Sequence, residues 1–175
     1  MVTVSMLAGF LGFLSASSPT SSQAPFLTRV DPACERTLPI RMVQSVSGRP
    51  GIVLVPRDSR MGAHGTCNYA TGGKDVILSV AINPLTNPEF YDSYRRNCGY
   101  SEPGRPIAGL GDEALACSAY GGGADRAVVV SKGRLVVVLQ SAKRVDPQTR
   151  RIRESYFTTD QLTELARTVV KKLSR

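Results

Sequence analysis

Two adjacent runs of β-branched residues place the tightest limit on how this chain can fold. Residues 127–131 read Ala-Val-Val-Val-Ser and residues 135–139 read Leu-Val-Val-Val-Leu, with only Lys132, Gly133 and Arg134 between them. Runs this rich in valine, joined by a tight turn that contains glycine, predict a β-hairpin. Both runs are apolar on both faces. Something must therefore cover both sides of their sheet, or the sheet must pack on a second layer.

A second hairpin is predicted upstream. Residues 66–70 pair with residues 76–82 across Gly72 and Gly73, and residues 52–55 form a short strand before it. Segment 67–73 begins Cys-Asn-Tyr and resembles segment 117–123, which begins Cys-Ser-Ala-Tyr. Two helix-then-hairpin halves would produce such an internal echo.

Capping patterns predict the helices and leave two loops between elements. Asp31 and Asn87 each precede a proline, which is typical of a helix start. The helix that begins after Asn87 is predicted to run to about residue 97. Thr37 could cap a helix over 38–47 that Gly48 ends. Residues 101–106 are predicted to form a loop rich in Pro and Gly, and residues 143–153 a basic connector between the final strand and the final helix.

The last helix has the clearest pattern. Thr158 and Gln161 form a capping box, and an apolar stripe at helical spacing follows it. The stripe consists of Leu162, Leu165, Ala166, Val169, Val170 and Leu173. The sequence therefore predicts an α+β fold: an antiparallel β-sheet of two hairpin units with helices packed on it and the C-terminal amphipathic helix as a lid. At 175 residues, we expect one domain over 25–175.

Residues 1–24 resemble an export signal. The apolar stretch 2–16 is short for a membrane span, and a small polar tract follows it. Ser22-Gln23-Ala24 fits a cleavage site, although Pro25 follows it, and a site after Ala16 is the alternative. No Lys or Arg precedes Arg29. Either the true start lies upstream or the segment is retained as a weak anchor.

The cysteines support export. Cys34, Cys67, Cys98 and Cys117 are an even number, which indicates two disulfides, and four cysteines allow three pairings. They contain no C-x-x-C spacing, and His64 is the only histidine. No zinc site, and no other metal or cofactor, is predicted.

Several motifs together resemble a known family. They are Asp31-Pro32-x-Cys34, Cys67-x-Tyr69, the stretch Gly-Leu-Gly-Asp-Glu-Ala at 109–114, and the terminal amphipathic helix. Over about residues 31–173 the chain resembles exported actinobacterial envelope proteins, many of them lipoproteins, whose domain has no known function. The resemblance implies an α+β fold with an antiparallel sheet, export, and a disulfide from the first helix to the first hairpin.

We predict the pairs Cys34–Cys67 and Cys98–Cys117, which are local in chain order and do not cross. The chain departs from the family in one respect. Cys34 lies well past the apolar segment, so the chain lacks the lipid-attachment cysteine of the lipoproteins.

No motif identifies a catalytic site. His64 has Asp58, Ser59 and Cys67 nearby, but nothing in the sequence orients it as a base. Asp112 and Glu113 are adjacent carboxylates, which suits a turn or a salt bridge better than paired acid–base chemistry. Residues 121–123 are three glycines without the Lys-Ser/Thr of a phosphate loop, so we interpret them as a flexible turn.

Charge gives the one functional indication. The chain has 22 Lys and Arg against 14 Asp and Glu, a net charge of +8. Such a balance favours anionic partners, although an ordinary soluble basic surface has the same charge. The candidate anion-binding residues are Arg144, Arg150, Arg151 and Arg153, and a solvated basic loop is the simpler interpretation. Without regular aromatic interleaving, sequence-specific nucleic-acid binding is not expected.

These observations favour an exported, disulfide-stabilised, non-enzymatic binding or interaction module of the cell envelope. Its expected partner is anionic envelope lipid or polymer, or another envelope protein. The alternative is a secreted enzyme or enzyme inhibitor. A pocket lined by convergent polar groups would favour the enzyme, and a flat basic face would favour the module.

Overall fold

A seven-stranded antiparallel sheet lies at the centre of the protein. The computed structural model describes residues 32–55, 66–72, 75–98, 103–120, 126–146 and 148–174. The predicted export segment therefore lies outside the described residues. The strands of the sheet are β1 Ile52–Val55, β2 Thr66–Thr71, β3 Asp75–Pro84, β4 Arg105–Pro106, β5 Glu113–Cys117, β6 Arg126–Lys132 and β7 Leu135–Ser141. Their order in the sheet is β1-β2-β3-β7-β6-β5-β4. The helices are α1 Pro32–Thr37, α2 Ile40–Ser47, α3 Pro88–Asn97 and α4 Thr159–Leu173, and a separate hairpin consists of β8 Lys143–Val145 and β9 Ile152–Ser155.

Both predicted hairpins are confirmed. Strands β6 and β7 pair around Gly133 and Arg134, and β2 and β3 pair with a bulge after Tyr69. The second strand of each hairpin pairs with the other, β3 with β7, so the two hairpins form one sheet. The predicted α+β fold with an antiparallel sheet is correct.

The valine strands are covered on both sides, which explains why they are apolar on both faces. Val128, Val130, Val137 and Leu139 belong to a core that also contains the buried stripe of α4. Val129, Val136 and Val138 belong to a second core, which includes Tyr91 of α3 and the Cys98–Cys117 pair. Alternate side chains of each strand thus enter opposite cores.

The helices divide between the two faces, so the internal echo does not mark a structural repeat. Leu38 and Val43, from the α1–α2 region, pack in the core of α4, whereas Tyr91 of α3 packs on the other side of the sheet. A two-fold repeat of an antiparallel sheet would keep the helix of each half on the same face. The sheet still contains two meanders, β1-β2-β3 and β5-β6-β7.

Helix α4 forms the predicted lid. Its capping box is present: Thr158 Oγ1 accepts from the Gln161 amide at 3.2 Å, and Gln161 Oε1 accepts from the Thr158 amide at 2.9 Å. Leu162, Leu165 and Val169 are fully buried. Gln161 Nε2 also donates to the Val46 carbonyl at 2.8 Å, which joins α4 to α2.

Both disulfides have the predicted partners. Cys34–Cys67 joins α1 to β2 with a Cα–Cα distance of 5.5 Å, and Cys98–Cys117 joins the end of α3 to β5 at 5.0 Å. The second closes 19 positions, which in the chain-entropy model stabilises the fold by about 3 kcal/mol. Each disulfide therefore attaches a short helix to the sheet.

One predicted helix cap is confirmed and one is wrong, and the third, Asp31, lies outside the described residues. Asn87 caps α3 and accepts from the Glu89 amide at 3.1 Å, as expected. Thr37, however, ends α1 and does not cap α2, whose N-cap is Pro39. The Glu35 carboxylate supplies the missing acceptor, because it accepts from the Ile40 amide at 3.1 Å.

Two segments predicted to be loops contain strands. Arg105 and Pro106 form β4, which pairs with β5 at the edge of the sheet, where a proline is tolerated. The basic stretch 143–153 contributes β8 and the first half of β9, so it is not a plain connector between the final strand and the final helix.

Candidate anion-binding surface

The basic stretch folds because Asp146 organises its turn. The Asp146 carboxylate accepts from the amides of Gln148 and Thr149, both at 2.9 Å. Its backbone amide donates to the Arg151 carbonyl, and its carbonyl accepts from the Arg150 amide, again at 2.9 Å. Asp146 is the only acidic residue in 143–153. Its carboxylate thus serves the turn amides of a stretch rich in arginine.

The structure places the four predicted arginines on this hairpin. Arg150 and Arg151 are exposed in the turn, and Arg144 is half-buried on β8. Arg153 lies opposite Arg144 in the register of β8 and β9, and its side chain lies outside the described part of the structure. The predicted exposure is therefore correct for Arg150 and Arg151 and only partial for Arg144.

Two guanidinium groups lie over one aromatic ring beside the hairpin. The guanidinium carbons of Arg49 and Arg144 lie 5.3 Å and 5.7 Å from the centroid of the Tyr156 ring, within the range of cation–π attraction. The Tyr156 amide donates to the Ala142 carbonyl at 3.2 Å, which fixes the residue next to β7. We define the basic hairpin surface as Arg49, Lys143, Arg144, Arg150, Arg151 and Tyr156.

Sequence reasoning missed the contribution of Arg49. Arg49 follows α2 and lies far from Tyr156 in the chain, so no local pattern could pair them. A tyrosine three residues after Arg153 was the only visible signal.

The cations of this surface form no ion pairs within the described residues. The ion pairs there are Arg95–Glu113 at 3.6 Å and Lys132–Asp112 at 3.0 Å. Both lie near the β6–β7 turn, at the opposite end of β7 from β8. Acidic residues do lie near the hairpin, namely Asp75, Asp146 and Glu154, but the five cations outnumber them. The surface can therefore attract an external anion.

The adjacent carboxylates have the structural roles that the sequence indicated. Asp112 accepts from the Gly133 amide at 2.6 Å and from Lys132 Nζ at 3.0 Å, and Glu113 pairs with Arg95. The hydrogen bond from Gly133, followed by that from Lys132, lowers the pKa of Asp112 below its ordinary value. Asp112 therefore fastens the turn of the valine hairpin.

Asp112→Asn should destabilise the domain at neutral pH and have little effect in acid. A carboxyl whose pKa is lowered by folding stabilises the protein above its unfolded pKa of about 3.9, and this contribution is lost as pH falls through the folded pKa. We expect the urea midpoint of the variant to lie below that of the parent at pH 7. The difference should shrink below pH 4, and a difference that stayed constant to pH 3 would contradict this role of the charge.

A separate polar cavity lies where β4 and β6 approach the start of α4. It has a volume of about 460 Å³. Its lining residues are Arg105, Ala116, Cys117, Ser118, Arg126, Thr158, Thr159 and Asp160. The Thr158 hydroxyl is already engaged in the capping box. The cavity thus offers two guanidinium groups beside one carboxylate.

The remaining candidates can be placed only in part. His64, Asp58, Ser59 and the glycines 121–123 lie outside the described residues. In the part of the chain that the structure describes, no group of three His, Cys, Asp or Glu side chains could hold a metal ion. Within the same residues, no helix has the length and apolar character needed to span a membrane. Comparison of the sequence with protein-family models and with curated proteins gave no match.

Proposed function

We propose that this protein is an exported, non-enzymatic binding module of the cell envelope that attaches to anionic partners through the basic hairpin surface. The partner is a lipid headgroup layer or an anionic polymer. The two disulfides support an oxidising compartment, because such bonds persist outside the cytosol. The resemblance of residues 31–173 to actinobacterial envelope proteins belongs to this proposal and supports an envelope location.

The arrangement around Tyr156 carries the proposal. Arg49 and Arg144 come from distant parts of the chain, and both lie within cation–π distance of one ring. Neither guanidinium forms an ion pair with a described residue. Holding two like charges close together without a carboxylate costs free energy, and an anionic ligand would offset that cost.

The alternative is a secreted enzyme or an enzyme inhibitor, and the polar cavity at the start of α4 favours it. Arg105 and Arg126 could hold a small anionic substrate beside Asp160. The cavity lies apart from the basic hairpin surface and shares no lining residue with it, so separate substitutions can distinguish the two functions.

Replacing the hairpin arginines should abolish most binding to anionic surfaces. The variant carries Gln at Arg144, Arg150, Arg151 and Arg153. Each basic residue near an anionic membrane contributes about 1 kcal/mol, so loss of all four should weaken binding on the order of 1,000-fold at low salt. Raising the salt should weaken the binding of the parent steeply. Co-sedimentation with anionic vesicles and with anionic cell-wall polymer measures both effects.

A matched control separates position from net charge. Arg41, Arg96, Arg134 and Arg167 are exposed and lie outside the hairpin, three of them on helices and Arg134 in the β6–β7 turn. Replacing these four by Gln lowers the net charge equally but leaves the hairpin intact. The control should bind nearly as well as the parent. Equal losses in both variants would mean that only the overall charge matters, and equal binding by all three proteins would contradict the proposal.

A further inference from the structure

Exposed apolar side chains gather beside the basic hairpin surface. Among the described residues, the large apolar side chains that are exposed are Val53, Val76 and Val145. Val76 and Val145 line one cavity of about 370 Å³ with Asp75, Lys143 and Tyr156. Isolated exposed valines are common on protein surfaces, but two that share a depression with a tyrosine ring are a local apolar patch. The patch borders the cations that lack ion pairs with described residues.

Val145 is the most exposed of these residues, at 56%. It ends β8, lies opposite Ile152 in the register and directly precedes the Asp146 turn. The exposed Arg150 and Arg151 belong to the same turn. The outer end of the hairpin therefore presents an apolar side chain and two positive charges together.

Building on the proposed function, we propose that the anionic partner is a lipid bilayer. Val145 and Val76 enter the interface between headgroups and acyl chains, while Lys143 and the arginines contact the headgroup phosphates. The Tyr156 ring lies at the level where aromatic side chains are enriched in membrane proteins. Surface-bound proteins combine apolar burial with attraction to anionic lipid in this way.

The valines decide between lipid and polymer. A water-soluble polyanion would engage the cations alone and would gain nothing from an exposed valine. A bilayer offers phosphates and an apolar layer within a few ångströms of each other, which matches a patch of two valines bordered by cations. Asp75 lines the same cavity, but the five cations of the basic hairpin surface outnumber the acidic residues near it.

A single tryptophan tests insertion directly. The chain contains no Trp, so Val145→Trp places one fluorophore at the hairpin. Ala108→Trp is the control, because Ala108 is exposed and follows β4, at the opposite edge of the sheet from β1. The vesicles contain equal parts of phosphatidylglycerol and phosphatidylcholine. The emission of Val145→Trp should shift to shorter wavelength and be quenched by brominated acyl chains, whereas that of Ala108→Trp should not change.

A conservative variant tests how much the apolar side chain of Val145 contributes to vesicle binding. Val145→Thr keeps the branched shape but loses apolar character, so vesicle binding should weaken roughly three- to tenfold. Binding to soluble polyphosphate should not change.

The outcomes distinguish this inference from the proposed function. If Val145→Trp co-sediments with vesicles but shows neither shift nor quenching, lipid insertion is wrong and charge-based binding stands. Unchanged vesicle binding by Val145→Thr, or binding of the parent to polyphosphate alone, also overturns the inference. If the parent binds neither vesicles nor polymer, both proposals fail.

Discussion

Leu165→Asp and Val169→Asp should each unfold the domain. Both side chains are fully buried in α4, in the core that holds Val128 and Leu139 of the valine strands. An aspartate at either position would place a carboxylate in an apolar core without a partner. We expect a loss of about 4–5 kcal/mol, comparable with the 5–15 kcal/mol that stabilises a typical domain. Thermal melting and the yield of folded protein both measure this effect.

Arg167→Asp provides the control on the same helix. Arg167 is exposed and lies between the two buried positions. The substitution Arg167→Asp introduces the same residue into the same helix but buries no charge. The variant should therefore melt at nearly the same temperature as the parent. If Leu165→Asp or Val169→Asp melts within a degree or two of Arg167→Asp, α4 is not the lid that the structure shows.

Gly111→Ala should destabilise the protein much more than Gly109→Ala. Both glycines have a φ of +69°, and an alanine in this left-handed region costs about 1–2 kcal/mol at either position. At Gly109 a Cβ would meet nothing within 4 Å. At Gly111 it would meet the Ser131 carbonyl and would lie 2.5 Å from Cγ1 of Val130. Overpacking of this kind costs a further 1–3 kcal/mol, roughly.

The comparison isolates the close approach between two segments. The Ser131 carbonyl also accepts from the Asp112 amide at 2.8 Å, so a methyl group at Gly111 would disturb a hydrogen bond between β6 and the segment before β5. Urea unfolding of the two variants measures the difference. Equal midpoints would mean that only backbone strain matters at Gly111.

The sequence predicted the elements whose patterns are local. The valine runs, the capping box at Thr158 and the stripe of α4 each specify their element through residues a few positions apart. The disulfide pairs Cys34–Cys67 and Cys98–Cys117 were predicted because they are local in chain order and do not cross, and the structure contains both. The valine strands are apolar on both faces, and this pattern predicted that both sides of the sheet would be covered.

Features that depend on tertiary contacts could not be predicted. One such feature is the face of the sheet on which α3 packs. It depends on the pairing of β3 with β7, and no local sequence pattern predicts that pairing. The same holds for Arg49, which lies beside the Tyr156 ring although the two residues are far apart in the chain. Strands β8 and β9 escaped prediction because their arginines resemble a solvated loop, although Asp146 supplies the acceptors for a turn. The charge of residues 143–153 was therefore enough to predict the basic hairpin surface, but the position of Tyr156 beside Arg49 and Arg144 was visible only in the structure.

A residue-by-residue NMR titration of the isotope-labelled full chain with bicelles containing phosphatidylglycerol tests the central claim most directly. The account predicts that shifts in amide signals concentrate at Arg49, at residues 143–155 and at Tyr156, and that they disappear at high salt. In the four-arginine hairpin variant these shifts should be much smaller. Shifts centred on the polar cavity of Arg105 and Arg126, or shifts spread evenly over the surface, would contradict the assignment of function to the basic hairpin surface.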